Sequence, residues 1–120
     1  MYRDEILDLY KNPRNEGKIE NSDLVREGEN PSCGDHLTIY AEITESRLSE
    51  IKHESDACAI CTASTSILTE EAKDLSKEEI LELDKDWMLD QLGIDVSPMR
   101  MKCALLGLET LQKGVKDEKS

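Results

Sequence analysis

Phenylalanine is absent from this 120-residue chain, and one tryptophan and three tyrosines are its only aromatic side chains besides histidine. Leu, Ile, Met and Ala must therefore do most of the packing. Cations are short as well: 15 Lys and Arg stand against 27 Asp and Glu, a net charge of −12. Such a surface disfavours non-specific contact with nucleic acid or anionic membrane, because phosphate contacts need clustered Lys and Arg, and it suits partners with basic surfaces. No apolar run approaches the roughly 20 residues of a membrane span. The opening MYRDEILDLY is amphipathic and acidic, unlike a secretory signal or transit peptide, so a cytoplasmic location is expected. Repeats, linkers and low-complexity blocks are missing too. One domain over residues 1–120, with a frayed tail from about residue 116, is the expectation.

What is present reads as α+β. Tyr2, Ile6 and Leu9 recur at helical spacing over residues 2–11, and Pro13 ends that helix. NPRNEGKIENSD then reads as an irregular surface segment. In HLTIYAEI, Leu37, Ile39, Ala41 and Ile43 alternate with His36, Thr38, Tyr40 and Glu42, the pattern of a half-buried strand. TES supplies a turn into a second strand, RLSEIKHES, and DLVREG is a candidate third. Helical patterns follow: AICTASTSILTEEAKDL, with Ile60, Ala63, Ile67 and Glu71 on one side; a capping box of Ser76 and Glu79; DKDWMLDQL, ended by Gly93; and a last helix from Pro98, striped by Met101, Leu105, Leu108 and Leu111. Strands first and helices after them define the class.

Four cysteines in a chain expected in the cytoplasm are thiols, metal ligands or catalytic groups rather than disulfides. Cys33, Cys58 and Cys103 each stand near an element boundary, the last two near helix N-termini, which favour the thiolate. Within NPSCGD, Cys33 and Asp35 point the same way in an extended chain and can face one ion, and Gly34 permits a turn between them. Turn chemistry is the competing role for Asp35. Cys58-x-x-Cys61 admits a thioredoxin-like redox pair, which needs a βαβ setting, or a zinc knuckle, which needs a second CxxC that the chain lacks. A small packed residue, in line with Leu68, suits Cys61 better. His36 and His53 read as surface or internally satisfied side chains.

The chain as a whole resembles the IscU/SufU family of scaffolds for iron–sulfur cluster assembly, found also as the N-terminal module of NifU. LYKNPRNEGKI, NPSCGD, SDACAICTAS and SPMRMKCALLGLETL carry the likeness, in order, from Tyr2 to about Val115. The resemblance implies a three-stranded antiparallel sheet packed against about five helices, SufE/NifU-like. It also implies a site of Cys33, Asp35, Cys58 and Cys103 that holds an iron–sulfur cluster, most simply 2Fe–2S, or Zn2+. Implied partners are a cysteine desulfurase and apo iron–sulfur acceptor proteins, with no nucleic acid and no membrane, and a homo-oligomer is compatible with the cluster-bound state. Cys61 matches a position usually held by a small residue. Lys102 stands where many members carry His, as in the SufU branch, although the step from Cys58 to Cys103 leaves no obvious room for the insertion usual there. VSPMRMK keeps Pro98 but not the paired prolines that Hsp70-type chaperones bind.

Thiolates suit iron–sulfur units and zinc, and one harder carboxylate oxygen makes the hold weaker than a fourth sulfur would. Three Cys and one Asp thus fit a non-catalytic carrier that captures a cluster and gives it up. Sulfur would arrive as persulfide on Cys33 or Cys103, with the Lys102 charge favouring the Cys103 thiolate. A zinc-dependent sulfurtransferase is the alternative, and a reductase using Cys58 and Cys61 a more distant one.

Overall fold

A computed structural model describes residues 4–117. Helix α1 (Asp4–Lys11) leads into strands β1 (Leu24–Asn30), β2 (Asp35–Thr44) and β3 (Arg47–Asp56), and then into helices α2 (Ala59–Glu71), α3 (Lys77–Glu82), α4 (Lys85–Leu92) and α5 (Pro98–Asp117). The strands form one antiparallel sheet in the order β1–β2–β3. With five helices among the described residues, this is the α+β arrangement expected from the order of patterns.

Local chemistry explains most boundaries. Ile6 and Leu9 are the buried face of α1; Tyr2, the third position of that stripe, lies outside the described residues. Leu37, Ile39 and Ala41 are fully buried along β2, and Ile43 is only partly so, beyond a register shift at Glu42/Ile43. The turn from β2 to β3 consists of Glu45 and Ser46, at φ 53° and 64°. Two successive left-handed residues match the twist of a hairpin, and here no glycine provides them. Ser76 and Glu79 form a full capping box, and Gly93 closes α4 at φ 66°.

The segment after α1 is irregular and lies at the surface, as expected, and it is also well anchored. The His53 amide donates to the Asn15 carbonyl, and the Gly17 amide to the His53 carbonyl, both at 2.9 Å. The Asn15 side chain reaches Thr69, Glu70 and Lys73, so the segment is clamped between β3 and α2. Two helix faces, on α2 and α5, differ from expectation. Helix α2 is not one-sided: Ile60 through Ser66, Leu68 and Thr69 are all buried, while Ile67 and Glu71 lie at the less covered side. The cause is its central place, against α1, α4, α5 and β3.

On α5 the covered face is also displaced from the expected stripe. Met101 and Leu105 are half-buried, whereas Cys103, Ala104, Gly107, Leu108, Leu111, Gly114 and Val115 are buried. Small residues mark that face because the neighbours are close. A Cβ on Gly107 would sit 2.6 Å from Thr65 Oγ1 on α2, and one on Gly28 would run into Thr110 Oγ1. The helix itself runs on through Lys116 and Asp117, with Arg26 of β1 paired to Asp117; residues 118–120, most of the tail expected to fray, lie outside the described part.

Candidate metal and sulfur site

Antiparallel register brings the pieces of the site together. Asn30 pairs with Asp35 across β1 and β2, which makes Pro31–Gly34 a tight loop. Its backbone closes through Cys33 N–H to the Asn30 carbonyl (3.1 Å) and Gly34 N–H to the Pro31 carbonyl (3.3 Å), with Gly34 at φ 71°. Cys33 is exposed on this loop. Asp35 opens β2 in phase with Leu37 and Ile39, so its side chain turns inward and is only 2 % exposed. On the other flank, His36 pairs with Asp56, and two residues later Cys58 caps α2 beside the carboxylate.

The Cys58 amide donates to Asp35 Oδ1 at 2.9 Å. Asp35 therefore does bond a neighbouring N–H, but with one oxygen only. Oδ2 is buried and has no hydrogen-bond partner among the described residues. An unpaired buried carboxylate oxygen is costly, and a cation would relieve it. Cys103 arrives from the second turn of α5. One donor atom each from Cys33, Asp35 and Cys103 lie within 4.8 Å of one another. Cys58 is close enough to act electrostatically on Cys103.

Burial first, then the closeness of the Asp35 carboxylate and of Cys33 and Cys58, push the Cys103 thiol well above its ordinary value. A metal-free site keeps that thiol protonated, and a cation would have to displace the proton. Asn30, which the sequence reading passed over, is buried, and its amide donates to Cys103 Sγ at 3.8 Å. Its position opposite Asp35 was readable from the hairpin, but its partner 73 residues away was not. Lys102 is exposed next to Cys103. A soft pair of sulfurs, a third sulfur alongside and one hard oxygen make a donor set suited to zinc or iron–sulfur cargo.

Cys61 and the histidines stand apart from this set. Cys61 is fully buried, and its thiol is pushed up mainly by burial, then by Asp35 and Cys58. His36 is exposed and lies 3.3 Å from Glu27. His53 is buried and internally satisfied: Nε2 meets the Arg14 carbonyl at 2.9 Å and Nδ1 meets Ser55 Oγ at 2.8 Å. Burial lowers its pKa, against the opposing pull of that carbonyl and of Glu16.

Known proteins resemble this chain in sequence and in shape. The profile of the family described as NifU-like N terminal domain matches residues 1–120. An iron–sulfur cluster assembly scaffold protein IscU of Archaeoglobus fulgidus is 38% identical over 117 residues, covering 98% of this chain and 76% of its own. The zinc-dependent sulfurtransferase SufU of Bacillus subtilis is 33% identical over 135 residues, covering 98% of this chain and 91% of its own. Among solved structures, an iron–sulfur cluster assembly scaffold for the SUF system from Fervidobacterium islandicum superposes with a TM-score of 0.82 at 32% identity, covering 95% of this chain and 96% of its own.

Proposed function

We propose that this chain, which belongs to the family of NifU-like N-terminal domains, is a scaffold on which an iron–sulfur cluster is assembled and from which it is transferred. Cys33, Asp35, Cys58 and Cys103 hold the cargo. The observation that carries this is the buried, unpartnered Asp35 Oδ2 converging with the sulfurs of Cys33 and Cys103. A purely structural aspartate at a strand start would be expected to pair both oxygens or expose one. Similarity to a protein named as an iron–sulfur cluster assembly scaffold supports the cargo. A cysteine desulfurase would supply sulfur to Cys33 or Cys103, and apo iron–sulfur proteins would take the product. The chain acts as a carrier in the cytoplasm, not as an enzyme. No helix among the described residues is long and apolar enough to cross a membrane.

Asp35 has two tasks in this scheme. Oδ1 fixes the Cys58 backbone, and so the start of α2; Oδ2 offers the cargo an oxygen. Held by one harder ligand, the cargo keeps a point of exchange open. Cys33, exposed on its loop, is the sulfur that an incoming donor or acceptor meets first.

A second reading is favoured by the match to SufU: a zinc-bound acceptor of persulfide sulfur that builds no cluster. Anaerobic purification followed by metal and acid-labile sulfide analysis separates the two. Iron with stoichiometric sulfide supports the scaffold, and zinc alone supports the sulfurtransferase. Serine at Cys33, Cys58 or Cys103 should abolish stable loading, while Cys61→Ser should keep it; lost loading in a folded Cys61→Ser protein would overturn the ligand assignment.

A further inference from the structure

Cys61 has no part in holding the cargo, yet it stands one turn from Cys58 at the N-terminus of α2. We infer that Cys58 and Cys61 form a redox pair that releases sulfane sulfur from this site as sulfide, with Cys61 as the resolving thiol. The inference rests on the reading of Cys58 as a ligand of the proposed site, and adds to it a turn as sulfur carrier.

The geometry is that of a pair, not of two unrelated thiols. Cys58 is the half-buried N-cap, and its Sγ accepts a hydrogen bond from the Cys61 amide at 3.5 Å. That bond holds the Cys58 sulfur over the first turn, on the Cys61 side. Residues three apart at a helix start are neighbours, with Cα atoms roughly one turn apart, inside the range a disulfide spans. The Cys61 thiol is closed to solvent but lies within electrostatic reach of Asp35, Cys58 and Cys33, so it is embedded beside the site. One turn further on, the Thr65 hydroxyl is buried, has no hydrogen-bond partner among the described residues, and adjoins the Cys61 sulfur. Packing alone asks only for a small side chain here. A thiol adds one property, the ability to bond to the next sulfur.

The step balances without any further reagent. Sulfane sulfur reaches Cys58 directly or by exchange from Cys33. Cys61 Sγ attacks Cys58 Sγ; the Sγ–Sγ bond forms as the bond from Cys58 Sγ to the outer sulfur breaks. The outer sulfur leaves with the electron pair, takes up the Cys61 proton and departs as hydrogen sulfide. It has been reduced by two electrons, and two thiols have become a disulfide, which an external dithiol reopens by exchange. The inorganic sulfur of a cluster is sulfide, so sulfur delivered as sulfane needs these two electrons. Occupation of Cys58 by metal closes the route, which limits sulfide release to a site still waiting for its cargo.

The test uses the metal-free full chain under anaerobic conditions, loaded with glutathione persulfide, in wild type, Cys61→Ser and Cys61→Ala. Trapped sulfide and peptide mass mapping are followed in time. Wild type should release sulfide roughly tenfold faster than either variant, as expected for an intramolecular thiol, and should gain a Cys58–Cys61 disulfide that dithiothreitol reverses. Both variants should instead retain the extra sulfur on Cys58. Equal release rates, a disulfide mapped to Cys33 and Cys103, or no extra sulfur ever on Cys58 would each overturn the inference. Zinc titration of the same three proteins keeps the two proposals apart. A wild type that binds zinc but holds a long-lived persulfide refutes only the resolving role, whereas one that binds neither zinc nor iron refutes the scaffold reading itself.

Discussion

Replacing Gly107 with alanine would probe how two helices hold the site together. The new Cβ would lie 2.6 Å from Thr65 Oγ1, 3.3 Å from its Cβ and 3.4 Å from its backbone Cα. Relief to an ordinary contact requires a shift of about 0.8 Å, and Thr65 is fully buried and stiff at χ1, so it has little room to give. Alanine brings roughly 1 kcal/mol of helix propensity over glycine. Overpacking a filled interface costs about 1–3 kcal/mol, and here a backbone atom stands among the contacts, so the upper half of that range applies and the steric term wins. A net loss of about 1–2 kcal/mol follows, or some 3–8 °C in melting temperature for a domain of this size. Cys103 precedes Gly107 by one turn on the same face, so the shift also moves a ligand. Zinc affinity should fall by about tenfold, equivalent to roughly 1.4 kcal/mol. Thermal melts and competitive zinc titration measure both effects. Gly107→Ala combined with Thr65→Ala should recover most of each, because the closest atom is gone and the two sites are coupled. A Gly107→Ala protein as stable as wild type, with unchanged zinc affinity, would refute the idea that this contact positions Cys103.

Asp35→Ala should make a reconstituted cluster longer-lived, because the three thiolates remain while the exchangeable oxygen ligand is lost; transfer to an apo-ferredoxin and decay in air should both slow, and acceleration of either would mean that Asp35 merely holds metal. Lys102→Ala should slow persulfide formation from a desulfurase more than it weakens zinc binding, and equal losses in mass spectrometry and titration would instead mark Lys102 as structural or ligating. Acid should destabilise the protein through His53. Its folded pKa is lowered by burial, so the unfolded chain binds the proton first as pH falls below about 6.5, and stability drops from there down through the folded value. Urea midpoints from pH 7.5 to 5 should show this slope, and His53→Gln should flatten it even though the substitution lowers stability at neutral pH.

Much of this protein is written in short-range pattern. Alternation over residues 36–43 is enough for β2, because side chains two apart must share a face. Ser76 with Glu79, and Gly93, mark helix ends by bonds that span three or four residues, and these arose as expected. The ordered motifs around Cys33, Cys58 and Cys103 pointed to the site through resemblance, since spacing alone leaves open whether distant thiols meet. Tertiary structure decided the rest. The burial of most of α2, well beyond one face, follows from four neighbours meeting it, which its own periodicity does not encode. The covered face of α5 is chosen by Thr65 and Leu24, whose close approach favours Gly107 and Gly114 over the larger stripe. A Glu45–Ser46 turn adopts left-handed geometry because the paired strands impose it, against the preference of both residues. Asn30 finds Cys103, and Asp35 keeps one oxygen unpaired, only when the β1–β2 loop, the α2 cap and the second turn of α5 close on one point. Spacing along a chain governs the few residues that one turn or one pleat brings together; contacts between remote segments depend on how whole faces pack, and that is settled by the burial of the core as a unit.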